Sequence, residues 1–144
     1  MAIRQRVLAY ITRNKRGITQ LLVFEHADFP DAGIQVPAGG VETGEALEEA
    51  AVREVQEETG IENARIVRKL TEEKNEAGNA NNHVFHLIAP ADLANTWNWL
   101  TNDYHSEEHR ARGERLVFRL FWIDIAQGAD LLAGGQGRWL DLIE

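Results

Sequence analysis

Cysteine is absent from this chain, and proline, methionine and long apolar runs are scarce. Without cysteine the protein has neither a disulfide framework nor a thiol nucleophile. The apolar run at residues 7–11 is too short for a signal peptide, and no run approaches the length that spans a membrane. Basic residues are in the minority, since 15 Lys and Arg stand against 23 Asp and Glu, for a formal net charge of -8. This balance argues against a nucleic-acid surface, which would need clustered Lys and Arg.

The remaining composition is ordinary for a globular protein. The 144 residues, 44% hydrophobic and 26% charged, suit one domain with a sizeable core. The sequence contains no internal repeat and no linker, so residues 1–144 are predicted to form a single domain. A cytoplasmic location is expected, without a membrane or nucleic-acid partner. The negative charge does not argue against a small phosphorylated substrate, because a bound metal would reverse the local charge.

Residues 44–59 have the composition of an amphipathic helix. Thr43 is predicted to be its N-cap, and acidic residues in the first turns suit the positive end of the helix dipole. Gly60 stands where a helix C-cap glycine belongs.

Three carboxylates fall on the wrong side of this predicted helix. At about 100° per residue, Glu54 and Glu58 lie within roughly 20° of Leu47, in the middle of the apolar face, and Glu57 lies on its edge. At positions i, i+3 and i+4 their side chains converge, repel one another and resist desolvation. A divalent cation relieves both problems, and hard oxygen ligands favour Mg²⁺ or Mn²⁺. The alternative, a solvated acidic surface, fits only the glutamates of the first turns.

The same stretch carries a spaced motif. It reads Gly39, five residues, Glu45, seven residues, then Arg53-Glu54-apolar-any-Glu57-Glu58-any-Gly60-apolar. At every fixed position this pattern resembles the signature of the Nudix hydrolases. The signature covers residues 39–61, and the flanking segments fit the family without identifying it.

The resemblance implies a fold of the α/β class, an α/β/α sandwich with a central mixed sheet. It implies that Glu54, Glu57 and Glu58 bind Mg²⁺ or Mn²⁺, with the main-chain carbonyl of Gly39 as a further ligand. The glycine loop supports the last role, because Gly39 and Gly40 allow backbone angles that are closed to other residues.

The resemblance also implies a supporting ion pair between Glu45 and Arg53. On one continuous helix the two would lie roughly 80° apart, so the pair needs the chain to bend near Glu45. The implied reaction is metal-dependent hydrolysis of the diphosphate linkage of a nucleoside diphosphate joined to another moiety, with water as the nucleophile. Nucleotide sugars, dinucleoside polyphosphates and nucleoside triphosphates all remain open, because residues 71–82 lack the Pro or Tyr that marks substrate subgroups of the family.

Strands are predicted on both sides of the helix from their apolar patterns. They are residues 4–12, 19–25, 34–37, 62–74, 83–88 and 115–123. Residues 75–82 are predicted as a turn, 90–100 as a short helix or turn, 101–114 as a long loop, and 128–137 as a helix with a Gly-rich break. Residues 139–142 are predicted to pack back onto the core.

Aromatic residues outside the signature are candidates for substrate binding. A nucleoside ring needs an apolar or aromatic platform. Phe29, Trp97 and Tyr104 are the main candidates, and Phe85 and Trp99 are two others. Core packing is the alternative for each of them.

The polar segment 101–114 is typical of a loop that closes over a substrate. Its Arg110 and Arg112 are candidates to bind substrate phosphates. The segment also offers groups that could take a proton from the attacking water. They are Glu107, Glu108, Glu114, His105 and His109. If none of them is the base, Glu54 of the signature is the first alternative, and a solvated loop without a role also remains open.

Three rival functions are weighed against hydrolysis. A Nudix-fold module that binds or regulates through a nucleotide, with weak or lost catalysis, is the alternative from another class. An isoprenoid isomerase of the same superfamily is disfavoured by the absence of cysteine, and an RNA-decapping role by the charge balance. The partner is then a small-molecule nucleotide substrate, and a homodimer is left open.

Overall fold

The computed structural model describes residues 3–143 and contains one seven-stranded sheet. Its strands are β1 (Arg4–Lys15), β2 (Ile18–His26), β3 (Ala38–Gly40), β4 (Arg65–Lys74), β5 (Ala80–Ile88), β6 (Thr96–Tyr104) and β7 (Arg115–Asp124). Its helices are α1 (Leu47–Thr59), α2 (Glu107–Ala111) and α3 (Ile125–Leu131), with 3-10 turns at Pro30–Ala32, Ala133–Gly135 and Leu140–Leu142. Residues 1, 2 and 144 of the predicted domain lie outside the described residues.

The sheet is mixed, as predicted. Its strand order is β4-β5-β1-β2-β7-β6, and β3 pairs with the first half of β1. β1 runs parallel to β5, and the other named pairs are antiparallel. With α1 on one face and the C-terminal segment on the other, this is the α/β arrangement that the signature implied.

Strand β1 shows why both faces of the sheet are covered. Its continuous apolar run is typical of a strand that is buried on both sides. Successive side chains of a strand point to opposite faces. Val7 and Ala9 therefore pack on the α1 side, whereas Leu8 and Tyr10 pack on the side of the C-terminal segment.

Helix α1 begins later than predicted. Its N-cap is Ala46, so the prediction of Thr43 as N-cap is wrong. Gly44 has a φ of 79°, a left-handed conformation that ends the preceding turn and keeps Glu45 outside the helix. The Ala46 N–H instead donates to Glu49 Oε1 at 3.2 Å.

The C-terminal end of α1 was predicted correctly. The helix ends at Thr59, and Gly60 adopts the left-handed conformation with a φ of 80°. A Cβ on Gly60 would also lie 2.7 Å from the Trp99 ring, so a side chain is excluded for two reasons.

The prediction of a short helix or turn for residues 90–100 is right only for its first part, where Ala91 and Asp92 form a turn, and wrong for the rest. Strand β6 starts at Thr96, and Trp97, Trp99 and Thr101 are more buried than the residues between them. This is the period-2 pattern of a strand, but the sequence hides it, because Leu100 on the exposed side and the polar residues after Thr101 break the alternation.

The prediction of a continuous loop for residues 101–114 is also wrong. The segment contains the end of β6 and the short helix α2. Ser106 caps α2, since its Oγ accepts a hydrogen bond from the His109 N–H at 3.3 Å.

Two further element predictions are wrong in position. Residues 34–37 contribute only isolated bridges at Ile34 and Gln35, and the strand that leads into the signature is β3. The C-terminal helix was predicted within residues 128–137, but α3 begins earlier, at Ile125, and ends at Leu131. Gly128 lies inside this helix, where it packs against Leu140.

The remaining bounds differ less. β4 begins at Arg65 and not at residue 62, and β5 begins at Ala80, inside the predicted turn. Trp139 and Leu140 are buried, which confirms that the C-terminal segment returns to the core. Among residues 3–143, no helix has the length and apolar character that crossing a membrane requires.

Candidate active site beside the glycine strand

Helix α1 brings its carboxylates to the backbone of β3. Glu54 and Glu58 are each only 9% exposed, which confirms the helical-wheel prediction that they lie on the buried face. Glu57 lies at the rim and is exposed. Buried carboxylates need partners, and the partners differ between the three residues.

Glu58 has one hydrogen bond and no cationic partner among residues 3–143. The Ala38 N–H donates to its Oε1 at 2.8 Å. Burial raises the pKa of Glu58 well above its ordinary value, and the bond from Ala38 only partly opposes this. The carboxylate is therefore held in place while its charge is poorly compensated.

Glu54 packs directly against Gly39. A Cβ placed on Gly39 would lie 2.2 Å from Glu54 Oε1, so this approach is open only to glycine. Arg53 Nη1 donates to Glu54 Oε1 at 2.9 Å. Burial raises the pKa of Glu54, and the Arg53 bond opposes it.

Arg53 joins the segment before the helix to the carboxylates. Its Nε and Nη2 donate to the two carboxylate oxygens of Glu45 at 2.7 and 2.9 Å. Its Nη2 also donates to the Gly40 carbonyl at 2.8 Å, and its Nη1 lies 3.3 Å from Glu57 Oε2. The hydrogen bond from Arg53 lowers the pKa of Glu45 to about 2. The bend that the Glu45–Arg53 pair requires is provided before Leu47.

Asp103 is a site neighbour that the sequence interpretation missed. It lies near the end of β6, where the pairing with β7 shifts register between Leu100 and Tyr104. After burial, which is the main cause, the negative charge of Asp103 adds to the raised pKa of both Glu54 and Glu58. No local pattern marks it, because its proximity depends on β6 packing beside α1.

The donor set at β3 fits a hard divalent cation. Within residues 3–143, no three Asp, Glu or His side chains surround a common point at which they could hold a metal. Two buried carboxylates of α1 nevertheless lie against the Ala38–Gly40 backbone, one of them without a cationic partner among residues 3–143, and a third lies at the rim. Carboxylate and carbonyl oxygens of this kind are the ligands that Mg²⁺ and Mn²⁺ prefer.

Phe29 lies in an imidazole cluster and not beside the carboxylates. Its ring stacks on His105 with centroids 3.8 Å apart, and His109 approaches both rings edge-on at 5.4 Å. This contact joins the loop after β2 to the start of α2. The nearby His26 has a buried Nδ1 that finds no hydrogen-bond partner among residues 3–143, and burial lowers the pKa of this imidazole.

Trp97 and Trp99 close the C-terminal end of α1. Their indole N–H groups donate to the carbonyls of Thr59 and Glu57 at 2.9 and 2.8 Å. Together with Leu93 they line an apolar cavity of about 290 Å³ behind the helix. Phe85 is 1% exposed in the core, so its prediction as a substrate platform is wrong, because a ligand cannot reach it.

The predicted phosphate-binding arginines of the α2 region already have partners. Arg110 lies over the Tyr104 ring at 4.7 Å and pairs with Glu107 at 3.8 Å. Arg112 donates to Glu114 at 2.8 Å. Both arginines are exposed, and their role toward a substrate stays a prediction.

Comparisons with known proteins identify the family and the fold. The family model of the NUDIX domain matches residues 2–141. An RNA pyrophosphohydrolase of Wolbachia sp. subsp. Brugia malayi is 49% identical over 39 residues, which are 27% of this chain and 24% of that protein. Two curated relatives are matched over only 14% and 24% of their own lengths.

Solved structures match nearly the whole chain. The dihydroneopterin triphosphate pyrophosphohydrolase of E. coli has a TM-score of 0.64 at 17% identity, with 99% of this chain and 97% of that chain covered. The Ap4A hydrolase of C. elegans has a TM-score of 0.63 at 19% identity, with 98% and 96% covered. At these identities the likeness shows the fold alone. With the family model covering nearly every residue and the complete signature placed at β3 and α1, the chain belongs to the Nudix family.

Proposed function

We propose that this protein hydrolyses the diphosphate linkage of a nucleotide derivative with the help of a divalent metal. The observation that carries the proposal is the convergence of Glu54 and Glu58, both buried, on the backbone of β3. Burying two acidic side chains beside one another is unfavourable unless a cation compensates them. A structural role alone would not require that arrangement.

Glu54, Glu57 and Glu58 would hold Mg²⁺ or Mn²⁺, with the Gly39 carbonyl as a further candidate ligand. When bound, the metal supplies Lewis acidity toward phosphoryl oxygens and lowers the pKa of water. Arg53 positions this set, since it bonds Glu54 on one side and the Gly40 carbonyl on the other.

A separate group has to accept the proton of the attacking water. Of the carboxylates in the α2 region, Glu107 pairs with Arg110 and Glu114 pairs with Arg112. The carboxylate of Glu108 has no ion pair within the part of the chain that the structure describes. Glu108 is therefore the first residue to test as the base, and Glu54 is the alternative.

The experiment is a phosphate-release assay with Mg²⁺ or Mn²⁺ on a panel of nucleotide sugars, dinucleoside polyphosphates and nucleoside triphosphates. Glu57→Gln and Glu58→Gln should each lower kcat at least about 100-fold, the usual scale for losing a stabiliser of transition-state charge. Glu48→Gln, an exposed change on the same helix, is the matched control and should keep kcat. Turnover near the wild-type rate in both site variants would contradict the proposal.

The base is tested in the same assay as a function of pH. Glu108→Gln should cost roughly two to four orders of magnitude in kcat and remove the acidic limb of the pH profile. Glu107→Gln is the control in the neighbouring position. An unchanged profile in Glu108→Gln would transfer the role to Glu54.

A further inference from the structure

The apolar cavity at the C-terminal end of α1 lies outside the candidate active site. It has a volume of about 290 Å³, and most of its wall is formed by Ile61, Leu93, Ala94, Trp97 and Trp99. The carboxylates of Glu54 and Glu58 approach β3 instead. A volume of this size is near the lower end of the range for small-molecule sites, about 300–1,000 Å³. The proposed hydrolysis leaves this cavity without a role.

The polar side chains of the cavity wall are already bonded within the protein. The Thr59 hydroxyl donates to the Val55 carbonyl at 2.6 Å and accepts a hydrogen bond from the Ile61 N–H at 3.1 Å. The indole N–H groups of Trp97 and Trp99 donate to carbonyls in the last turn of α1. Since these three are the polar side chains of the lining, the wall favours an apolar occupant.

Two cationic side chains lie together at the rim of this cavity. Asn95 follows Ala94 of the wall, and its Oδ1 accepts hydrogen bonds from Arg13 Nη2 and Lys15 Nζ, both at 2.9 Å. The Arg13 guanidinium also lies 4.1 Å from the centroid of the Trp122 ring. The indole N–H of Trp122 in turn donates to the Ala94 carbonyl at 3.1 Å. These contacts hold the two cations beside the apolar wall.

The two cations have no acidic partner within residues 3–143. Arg13 also donates to Gln20 Oε1 at 2.8 Å, so both side chains bond neutral amide oxygens. Asp92 in the adjoining turn and Asp124 opposite Gln20 form no ion pair with either of them. Two cations that share one amide oxygen repel each other, and a carboxylate at this place would relieve the repulsion.

We propose that the cavity binds a small apolar carboxylate, with its apolar part against Leu93 and Trp97 and its carboxylate at Arg13 and Lys15. The carboxylate lies next to Asn95 Oδ1, where the two cations already converge. It adds the charge attraction that the neutral amide does not supply. This site goes beyond the proposed hydrolase function and does not depend on it.

The first test is a calorimetric titration with octanoate and with 1-octanol, which has the same number of carbon atoms and no charge. The wild type should bind octanoate at least about 10-fold more tightly, the factor that one hydrogen bond between charged groups supplies. Added salt should reduce this difference, because Lys15 is exposed to solvent. Equal affinities for the two ligands, or no binding of either, would overturn the proposal.

Arg13→Gln and Lys15→Gln test the place of the carboxylate. Each should weaken octanoate binding about 10-fold and leave 1-octanol binding unchanged. Lys74→Gln removes an exposed cation at the opposite end of the sheet and should bind both ligands like the wild type. Unchanged octanoate affinity in both rim variants would contradict the site. If Arg13→Gln does not fold, Lys15→Gln decides alone, because its position is exposed.

Leu93→Asn tests the apolar part of the site. Leu93 is half-buried in the segment before β6, and a polar group there should weaken the binding of both ligands about 10-fold. Thermal unfolding gives a second readout, since a ligand that binds the folded state raises the Tm. Octanoate should raise the Tm of the wild type more than that of Leu93→Asn or Lys15→Gln. An equal rise in all three proteins would show that octanoate binds elsewhere.

Discussion

At the scale of single residues, Glu58 combines burial with poor charge compensation. Its hydrogen bond from the Ala38 N–H can be made equally well by a neutral amide oxygen. Replacing Glu58 by Gln therefore removes the cost of burying a charge and keeps the hydrogen bond to Ala38. Under the proposed function this cost falls on the metal-free state, because the bound cation would compensate the charge.

Glu58→Gln should stabilise the metal-free protein and abolish its response to metal. We expect the Tm in chelator to rise by about 2–4 °C, the shift that 1 kcal/mol produces in a domain of this size. Glu57→Gln, at an exposed position, should leave that Tm unchanged. Thermal unfolding in chelator and in Mg²⁺ measures both effects, and a lower Tm for Glu58→Gln in chelator would contradict the interpretation.

The Glu45–Arg53 pair predicts a dependence of stability on pH. The hydrogen bond from Arg53 lowers the pKa of Glu45 from 4.5 to about 2, so the folded state binds this proton less readily than the unfolded state. The stabilisation is present above pH 4.5 and is lost as the pH falls toward 2. Urea unfolding in chelator between pH 2 and 6 should show a difference between wild type and Glu45→Gln that shrinks with falling pH.

Glu48→Gln serves as the control for that experiment, because Glu48 is a nearby exposed acid that has no ion pair among residues 3–143. It should follow the wild-type curve throughout. A constant difference between wild type and Glu45→Gln at all pH values would mean that the ion pair does not set the pKa.

A site residue could be predicted from the sequence only where the residues that it contacts are close to it in the chain. The burial of Glu54 and Glu58 follows from helical periodicity, which is local, so the wheel located both. The contact of Arg53 with the Gly40 carbonyl and the approach of Asp103 join separate elements. Nothing in the local pattern encodes such contacts, and they appear only once the elements have packed.

At the scale of elements, the C-terminal end of α1 is determined by strand β6. The indole N–H groups of Trp97 and Trp99 satisfy two of the last helix carbonyls, which a helix cannot satisfy internally. The Trp99 ring then fills the space that a side chain on Gly60 would need. The end of α1 and the position of β6 therefore depend on the same contacts.

Gly60→Ala and Gly44→Ala separate the two reasons for a glycine, which are a positive φ and the lack of space for a Cβ. Both glycines have a φ near 80°, but a Cβ on Gly44 would meet no described residue within 4 Å, whereas one on Gly60 would meet Trp99 at 2.7 Å. Gly44→Ala should cost about 1–2 kcal/mol from backbone strain alone. Gly60→Ala should cost clearly more, as measured by urea unfolding, and equal costs would show that the Trp99 contact yields.

The elements missed from the sequence share a physical cause. β6 alternates half-buried tryptophans with exposed residues that are mostly polar, so its composition resembles that of a loop. α2 spans only Glu107–Ala111, too short for a periodic signal, and depends on its Ser106 cap. The strands β1, β2 and β7 were predicted nearly to their ends because their apolar runs are long.

At the scale of the whole molecule, a bound divalent cation should stabilise the fold. The proposed ligands Glu54, Glu57 and Glu58 come near one another only when α1 is formed and packed on β3, so metal binding would favour the folded state. Saturation at 100 times Kd would add about 2.7 kcal/mol. Ca²⁺ should also raise the Tm but support little turnover, since it tolerates looser geometry than Mg²⁺.

Thermal unfolding in chelator, Mg²⁺ and Ca²⁺ tests this expectation, with Glu58→Gln as the control that should not respond. Three identical melting curves for the wild type would contradict a metal site at α1.

The position of β1 has a consequence for how the chain folds. This strand pairs with three others, and its parallel partner β5 is remote, since Arg4 is matched with Ala80. Closing so long a loop costs entropy before any hydrogen bond repays it. During synthesis β1 therefore leaves the ribosome well before β5. Until β5 emerges, the edge of β1 that pairs with it stays unpaired and its apolar side chains stay exposed. A nascent chain halted before Ala80 should be a better chaperone client than one halted after Asp124.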